Sequence, residues 1–285
     1  MSITGAEIIL QCLRREEVEV VFGYPGGCNI PIYDALYNSP IRHILTRHEQ
    51  GAVFAAGGYA RATGRPGVCL ATSGPGATNL VTGIADAKMD GVPLVCITGQ
   101  VRRAVIGTDA FQETDVAGLT LPITKWNCLV TKTEDIPRLF AEAFYIASSG
   151  RPGPVLIDIP VDVSREKLEQ VTYPERSEVK VAGYRPETGA SLAFEEVASM
   201  LAASKHPVAL VGAGAKWAGA TQHVRDLLDR LQIPAVATVH DQGLFEVSEG
   251  FGDMKAAEGL MTKELPWAAG MPVRAEGYRK KRFRK

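Results

Sequence analysis

The sequence predicts an α/β protein: a doubly wound parallel-sheet domain followed by an incomplete second α/β domain. Three observations carry this reading. Apolar runs rich in Val, Ile, Leu and Cys alternate with helix-period segments through the first half of the chain. The runs are continuous instead of alternating polar and apolar, as expected of strands covered by helices on both faces. Four of them are each followed by a polar or glycine-rich turn, which is how an open α/β sheet assembles a site at its strand ends.

Taken in order, Thr4-Gly5-Ala6-Glu7 has the spacing of a capping box and opens an amphipathic helix to about Glu16. Val18 to Phe22 reads as a buried strand ending in Gly23-Tyr24-Pro25-Gly26-Gly27, and a helix follows near Pro31 to Tyr37. The strand Ile41 to Thr46 gives way to Arg47-His48-Glu49-Gln50-Gly51-Ala52 and a small-residue helix from Gly51 to Thr63. Next come a strand from Gly67 to Ala71, a helix from Ala77 to Met89 and a strand from Pro93 to Thr98. A helix near Ile136 to Ser148 leads to the strand Pro154 to Ile159, so the first domain is expected over 1–163. Between 164 and 190 the periodicity fades and Pro174, Gly183 and Pro186 appear, the signature of a linker. A partial second domain over 191–250 reads as helix (Leu192 to Ala203), strand (Pro207 to Val211), helix (near Ala220 to Leu231) and strand (Pro234 to Val239). After His240 the pattern collapses, and 251–285 is expected to be a divergent, poorly ordered tail.

Composition narrows the function classes. The chain has 285 residues, enough for about two domains of ordinary size. A net charge of -1 provides no field for nucleic acid or an anionic membrane. That balance hides a split: Arg274 to Lys285 holds seven basic residues and one Glu, leaving the rest at -7. No apolar run approaches the roughly 18 residues of a membrane span, and the N-terminus lacks a basic region before an apolar core, so a cytoplasmic protein is expected. Five cysteines (Cys12, Cys28, Cys69, Cys96, Cys128) are isolated, with no CxxC pair and no histidine at ligand spacing, so neither zinc nor a disulfide framework is expected. Cys69 and Cys96 read as small core residues.

Glu49, at a strand-to-helix turn, fits an ordinary helix-start carboxylate, since acidic groups favour a first turn. Its company supports a second role: Ala71-Thr72-Ser73-Gly74-Pro75-Gly76-Ala77-Thr78-Asn79 and Gly107-Thr108-Asp109-Ala110-Phe111-Gln112-Glu113-Thr114 follow neighbouring strands. The first of these lacks the GK[ST] ending of a P-loop. Val211-Gly212-Ala213-Gly214-Ala215 follows a strand, but Trp217 stands where a dinucleotide fingerprint needs its third glycine. No GxSxG, HExxH or EF-hand pattern supports a hydrolase or a metalloprotease.

Four strings in order, Gly23 to Gly27, Arg47 to Ala52, Ser73 to Leu80 and Gly107 to Glu113, resemble the large, catalytic subunit of acetolactate synthase, a thiamine-diphosphate enzyme. The similarity continues through Gly150-Arg151-Pro152-Gly153-Pro154-Val155 to roughly His240. The resemblance implies decarboxylation of pyruvate on thiamine diphosphate and transfer of the two-carbon unit to a second 2-oxo acid. Thiamine reacts as a carbanion, and its own aminopyrimidine removes the C2 proton only if ring N1′ is held protonated by a carboxylate out of water. Resemblance makes Glu49 that group. It places Gln112 at the reacting centre, where an amide stabilises oxyanion charge. It also puts Phe111 in the acceptor pocket and Lys125 in the substrate channel.

Tyr24, Pro25, Gly26, Gly27, Ser73, Gly74, Gly76 and Asn79 become the cofactor-binding set, with Gly26 and Gly27 allowing close backbone approach and Asn79 capping the following region. Gly212 and Gly214 match a turn that contacts FAD in the family. Members run about twice this length and hold pyrophosphate and Mg²⁺ through a GDG…N segment. Here only Gly252-Asp253-Met254 compares, so the metal site is expected to be absent and the chain truncated and inactive alone. The implied partners are a homo-oligomer or a full-length subunit, and a small regulatory subunit. A sulfoacetaldehyde acetyltransferase or pyruvate oxidase fragment, or a non-enzymatic remnant or partner subunit, are the alternatives. Glyoxylate carboligase, lacking the carboxylate, is disfavoured.

Overall fold

The computed structural model describes residues 2–175, 178–179, 181, 184, 194–239 and 242–246, and the chain divides into two compact units, 1–193 and 194–285. In the first unit, β1 (Ile3–Thr4) leads into α1 (Gly5–Arg15), where Thr4 and Glu7 form the expected capping box reciprocally. β2 (Val20–Gly23), α2 (Ile30–Tyr37), β3 (Arg42–Leu45), α3 (Glu49–Thr63) and β4 (Gly67–Ala71) follow. Helix α3 starts two residues earlier than its pattern suggests, because His48 Nδ1 accepts from the Gln50 N–H at 3.1 Å and caps it there.

The single helix expected over 77–89 is two, α4 (Pro75–Thr78) and α5 (Val81–Asp90). The Leu80 N–H bonds to the Ala77 carbonyl three residues back, and this tighter turn interrupts the helix. Strand β5 (Leu94–Gln100) then passes to α6 (Val116–Thr120), β6 (Trp126–Leu129), α7 (Ile136–Ser148), β7 (Pro154–Pro160), α8 (Val161–Arg165) and β8 (Lys167–Leu168).

Six strands form one parallel sheet in the order β3-β2-β4-β5-β7-β6. Every residue of β4, β5 and β7 is buried, so their continuous apolar runs reflect cover from both sides. Helices α1, α2, α7 and α8 pack together on one face, and α3 and α5 on the other. Ile8, Ile9, Leu13, Phe140, Phe144 and Ile146 fill the first interface. The sequence pattern did not indicate β6, a four-residue, half-buried edge strand interrupted by Asn127. Asn127 Nδ2 donates to the Ala117 carbonyl at 2.7 Å and to Thr120 Oγ1 at 3.0 Å, which ties the strand to α6.

Residues 164–190, expected as a linker, contribute instead to the first unit where they are described. Strand β8 pairs antiparallel with β1. The Tyr173 hydroxyl donates to Gln11 Oε1, and the Arg15 guanidinium lies 4.5 Å from the Tyr173 ring centre. Apolar side chains of Leu168, Val171, Tyr173 and Tyr184 pack against the core, and that burial holds the segment down although it lacks periodicity.

The second unit comprises α9 (Phe194–Ala203), β9 (Ala209–Val211), α10 (Gly214–Trp217), α11 (Thr221–Leu231), β10 (Ala235–Val239) and β11 (Gln242–Glu246), with strand order β11-β10-β9. The pattern does not end at His240: β11 returns antiparallel along β10. Among its described residues only Val236 is buried, as expected when three strands have too little chain to cover both faces. The expected tail, 251–285, lies outside the described residues. Among those described, no helix is long and apolar enough to cross a membrane.

A Cβ on Gly67 would sit 2.0 Å from the Ala56 carbonyl oxygen, backbone against backbone, where α3 lies on β4. Gly67→Ala is therefore expected to lower stability by about 1–3 kcal/mol in urea denaturation. Gly58→Ala, on an exposed turn of the same helix with nothing within 4 Å, is expected to raise it by about 0.5–1 kcal/mol.

Candidate active site

The strand order reverses at β2: the chain steps outward to β3, then crosses back to β4 on the other side. In open α/β sheets such a switch point leaves a crevice at the carboxyl ends of the two diverging strands. The turn 23–27 leaves β2 on one wall, and the turn 72–76 leaves β4 on the other.

The two walls are joined. Thr72 Oγ1 accepts from the Cys28 N–H at 3.2 Å, and Ser73 Oγ, fully buried, donates to Cys28 Sγ at 3.2 Å. Tyr24 N–H donates to the Leu70 carbonyl at 3.3 Å, leaving the ring exposed, with Pro25 exposed beside it. A Cβ on Gly26 would lie 2.5 Å from Thr72 Cγ2, so glycine permits the closure. Gly27 faces open space, with nothing within 4 Å of a Cβ there. Sequence reasoning missed Asn29, which is buried and staples this turn. Its Oδ1 accepts from the Gly26 N–H at 2.7 Å, and its Nδ2 donates to the Tyr24 carbonyl at 3.4 Å. Gly99, at the end of β5, was also missed: a Cβ there would be 2.8 Å from the Cys28 backbone. An Asn three residues after a glycine, in a turn, was the available signal.

Glu49 is the first residue of α3, and the residue is only 9% exposed. Asn79 Nδ2 donates to Glu49 Oε2 at 3.0 Å. Asn79 was expected to cap the next helix, but the residue before α5 is Leu80, which makes no side-chain cap, and the Asn79 amide turns to the carboxylate. No ion pair to Glu49 occurs among the described residues. Gly76 packs against it: a Cβ there would meet Thr72 Cγ2 at 2.7 Å and Glu49 Oε1 at 3.3 Å, so only glycine fits.

The loop 107–114 reaches the same wall. Gly74 has φ +58°, and a Cβ there would be 2.7 Å from the Gln112 carbonyl oxygen and 3.0 Å from its Cα. Gln112 itself is held at φ +60°, an uncommon conformation for a residue with a side chain, and it is exposed. Phe111 is 89% exposed, so it packs against nothing substantial in this chain. Glu113 shapes the loop from inside. Its carboxylate accepts from the N–H groups of Gly107, Thr108 (3.3 Å) and Ala110 (3.0 Å), and the Gly107 bond foremost holds its pKa below the usual carboxylate value.

Lys125, expected from the resemblance in a substrate channel, lies away from this crevice. It precedes β6 and pairs its N–H with the Pro154 carbonyl at the start of β7, so it lies at the sheet edge opposite the crevice. Its Nζ donates to the carbonyls of Ile146 and Ser149 (2.7 Å) at the end of α7, where a cation complements the helix dipole. Gly212 and Gly214 occupy the turn from β9 into α10 in the second unit, and a Cβ on Gly214 would meet nothing within 4 Å. Among the described residues, no group of three or more His, Cys, Asp or Glu is placed to hold a metal ion.

Asn79→Asp would set a second carboxylate against that of Glu49. A stability loss of about 1–3 kcal/mol is expected at pH 7, shrinking relative to the unsubstituted chain at pH 4, where protonation relieves like-charge repulsion. Asn79→Ala should show a loss without that recovery; urea denaturation at both pH values measures the difference.

Comparison with known proteins places the chain in a family. Residues 3–119 match the family described as "Thiamine pyrophosphate enzyme, N-terminal TPP binding domain", and 194–253 match "Thiamine pyrophosphate enzyme, central domain". A protein named acetolactate synthase from Mycobacterium bovis is 52% identical over 246 residues, covering 86% of this chain and 39% of the relative. An acetolactate synthase from Arthrospira platensis is 50% identical over 249 residues (86% and 43%). A probable acetolactate synthase large subunit from Methanocaldococcus jannaschii is 50% identical over 242 residues (85% and 41%). The chain thus spans about two fifths of the length of these relatives. It belongs to the thiamine pyrophosphate enzyme family, and it is similar to the N-terminal portion of acetolactate synthase large subunits.

Proposed function

We propose that this chain supplies the pyrimidine-activating side of an acetolactate synthase, and that Glu49 is the group that does so. The supporting observation is a nearly buried carboxylate at the switch-point crevice, with one oxygen held by Asn79 and no cation paired to it among the described residues. Such a group fits a protonated ring nitrogen. Burial strengthens a charged hydrogen bond, and the open space beside Gly27, where a Cβ would meet nothing within 4 Å, leaves room for an aromatic ring.

Thiamine diphosphate, when bound, supplies the electron sink for decarboxylating a 2-oxo acid and passing on a two-carbon unit. The chain's own residues do the rest of what is proposed on this side. Glu49 would hold a protonated ring nitrogen by accepting its hydrogen bond, while Asn79 fixes the rotation of the carboxylate through Oε2. The turns 23–27 and 73–76 would form the walls of the ring's site. Gln112, presented by its loop, offers an amide to developing oxyanion charge, and Phe111 presents an apolar face to the second 2-oxo acid. Gly212 and Gly214 are proposed to contact FAD. Mg²⁺ and the diphosphate are proposed to be held by groups other than the described residues, in a homo-oligomer or with a full-length subunit. A small regulatory subunit is the proposed further partner, since similar proteins are named large subunits.

Ligand-detected NMR with thiamine tests the role of Glu49. The unsubstituted chain is expected to bind, and Glu49→Gln, with the same thermal unfolding, to lose binding about tenfold or more. Equal binding by both would overturn the assignment. The chain assayed by itself with pyruvate, thiamine diphosphate and Mg²⁺ is expected to form no 2-acetolactate. Product formation would overturn the proposal that it supplies one side only.

A further inference from the structure

A second buried carboxylate, Asp158 on β7, is not used by the proposed chemistry, yet it is committed on both oxygens. Thr98 Oγ1 bonds to Oδ1 at 2.7 Å, and Gln100 Nε2 donates to Oδ2 at 2.9 Å. Asp158 is 2% exposed and has no ion pair among the described residues. The Gln100 side chain, also buried, does something further. Its Oε1 accepts from the Val101 N–H at 2.9 Å, and its Nε2 donates to the Thr114 carbonyl at 2.8 Å. One amide therefore grips both ends of the 101–114 loop. The three bonds admit a single orientation of that amide, because the Val101 N–H needs an oxygen and the Thr114 carbonyl needs an N–H.

We propose that Gln100 and Asp158 are a positioning pair, a buried clasp that closes the 101–114 loop and so holds Gln112 against the Gly74 turn. The bond to Asp158 fixes the amide in the rotamer that reaches both loop ends. The loop is also tied at its start nearer the surface, where Arg103 bonds Asp162 through its backbone N–H (3.0 Å) and its guanidinium (2.8 Å), the Thr131 carbonyl (2.9 Å) and Glu166 (3.1 Å). That the placement serves oxyanion stabilisation rests on the function proposed above; the clasp itself does not.

Burial pushes the Asp158 carboxyl up to about 7, against the Thr98 and Gln100 hydrogen bonds that pull it down, with Asp115 adding a smaller upward push. The other titratable group facing it is the Cys128 thiol on the adjacent β6, itself pushed up by burial and then by Asp158. When the loop opens, water reaches Asp158 and its pKa returns towards about 4. Between those values the closed state binds the extra proton. Closure is therefore fully favoured below about 4, weakens as pH rises through about 7, and is level above.

Hydrogen exchange measured by mass spectrometry on the whole chain, without ligand, tests this. The reporters are the bonded amides of Val101, Val105, Gly107, Ala110 and Glu113. Gln100→Ala and Asp158→Ala are expected to speed their exchange by about 10–100-fold, with α1, α7 and β4 unchanged. Asp158→Asn keeps an acceptor for Gln100 and should restore protection. After correction for intrinsic rates, protection in the unsubstituted chain should fall from pH 5 to 7 and then level, while Asp158→Asn should be flat. Unchanged loop exchange in Gln100→Ala, or equal deprotection of loop and core in both alanine variants, would overturn the proposal. If thiamine binding proves independent of Glu49 while the loop responds as stated, the functional reading fails and the clasp stands.

Discussion

The crevice exists because the parallel sheet reverses its winding at β2, and because the turns beyond β2 and β4 can then close on each other. That closure is steric before it is chemical. The Thr72 side chain fills the place a Cβ would take at both Gly26 and Gly76, and the Cys28 backbone crosses β5 where Gly99 has no side chain. Any β-carbon at these positions forces the two walls apart, and the Cys28–Thr72 and Cys28–Ser73 hydrogen bonds stretch with them. The glycines of these turns are thus contact positions as much as flexible ones. Only Gly74 also needs the left-handed backbone, where its φ of +58° lies against the equally unusual Gln112.

Two buried carboxylates without a paired cation among the described residues, one on α3 and one on β7, have opposite designs. Asp158 has both oxygens engaged and is almost fully buried, so its interactions are internal and it acts on the chain alone. Glu49 has Oε2 engaged by Asn79, and Oε1 lies toward Gly76, the position without a side chain. The loop carrying Phe111 and Gln112 joins them. Gln100 roots it at Asp158, Glu113 folds it on itself, and Gln112 brings it down on Gly74.

Much of this architecture was legible because periodicity and capping are local. The Thr4–Glu7 box, the buried runs of β4, β5 and β7 and the helix α7 follow from residues within a few positions of one another. Glu49 and the glycine turns were legible for the same reason, each standing where an apolar run ends. Less legible were elements whose stability comes from distant partners. Strand β6 is held by Asn127 to α6 and by β7, and the segment around Tyr173 is held by Arg15 and Gln11, 162 residues away in the case of Gln11. The position of Lys125 was not legible either, because its sequence neighbourhood does not reveal which edge of the sheet it occupies.

The sequence by itself determined that a parallel α/β sheet forms, which turns leave its strands, and that a carboxylate stands at one of them. Only the tertiary structure decided that Asn79 serves Glu49 instead of a helix end. It alone put Lys125 on the opposite edge, and it alone revealed that Gln100 and Asp158 hold the Gln112 loop. The reason is physical. Secondary structure answers to neighbours three or four residues apart, whereas a buried polar group must find its partner wherever the strand order brings one within about 3 Å.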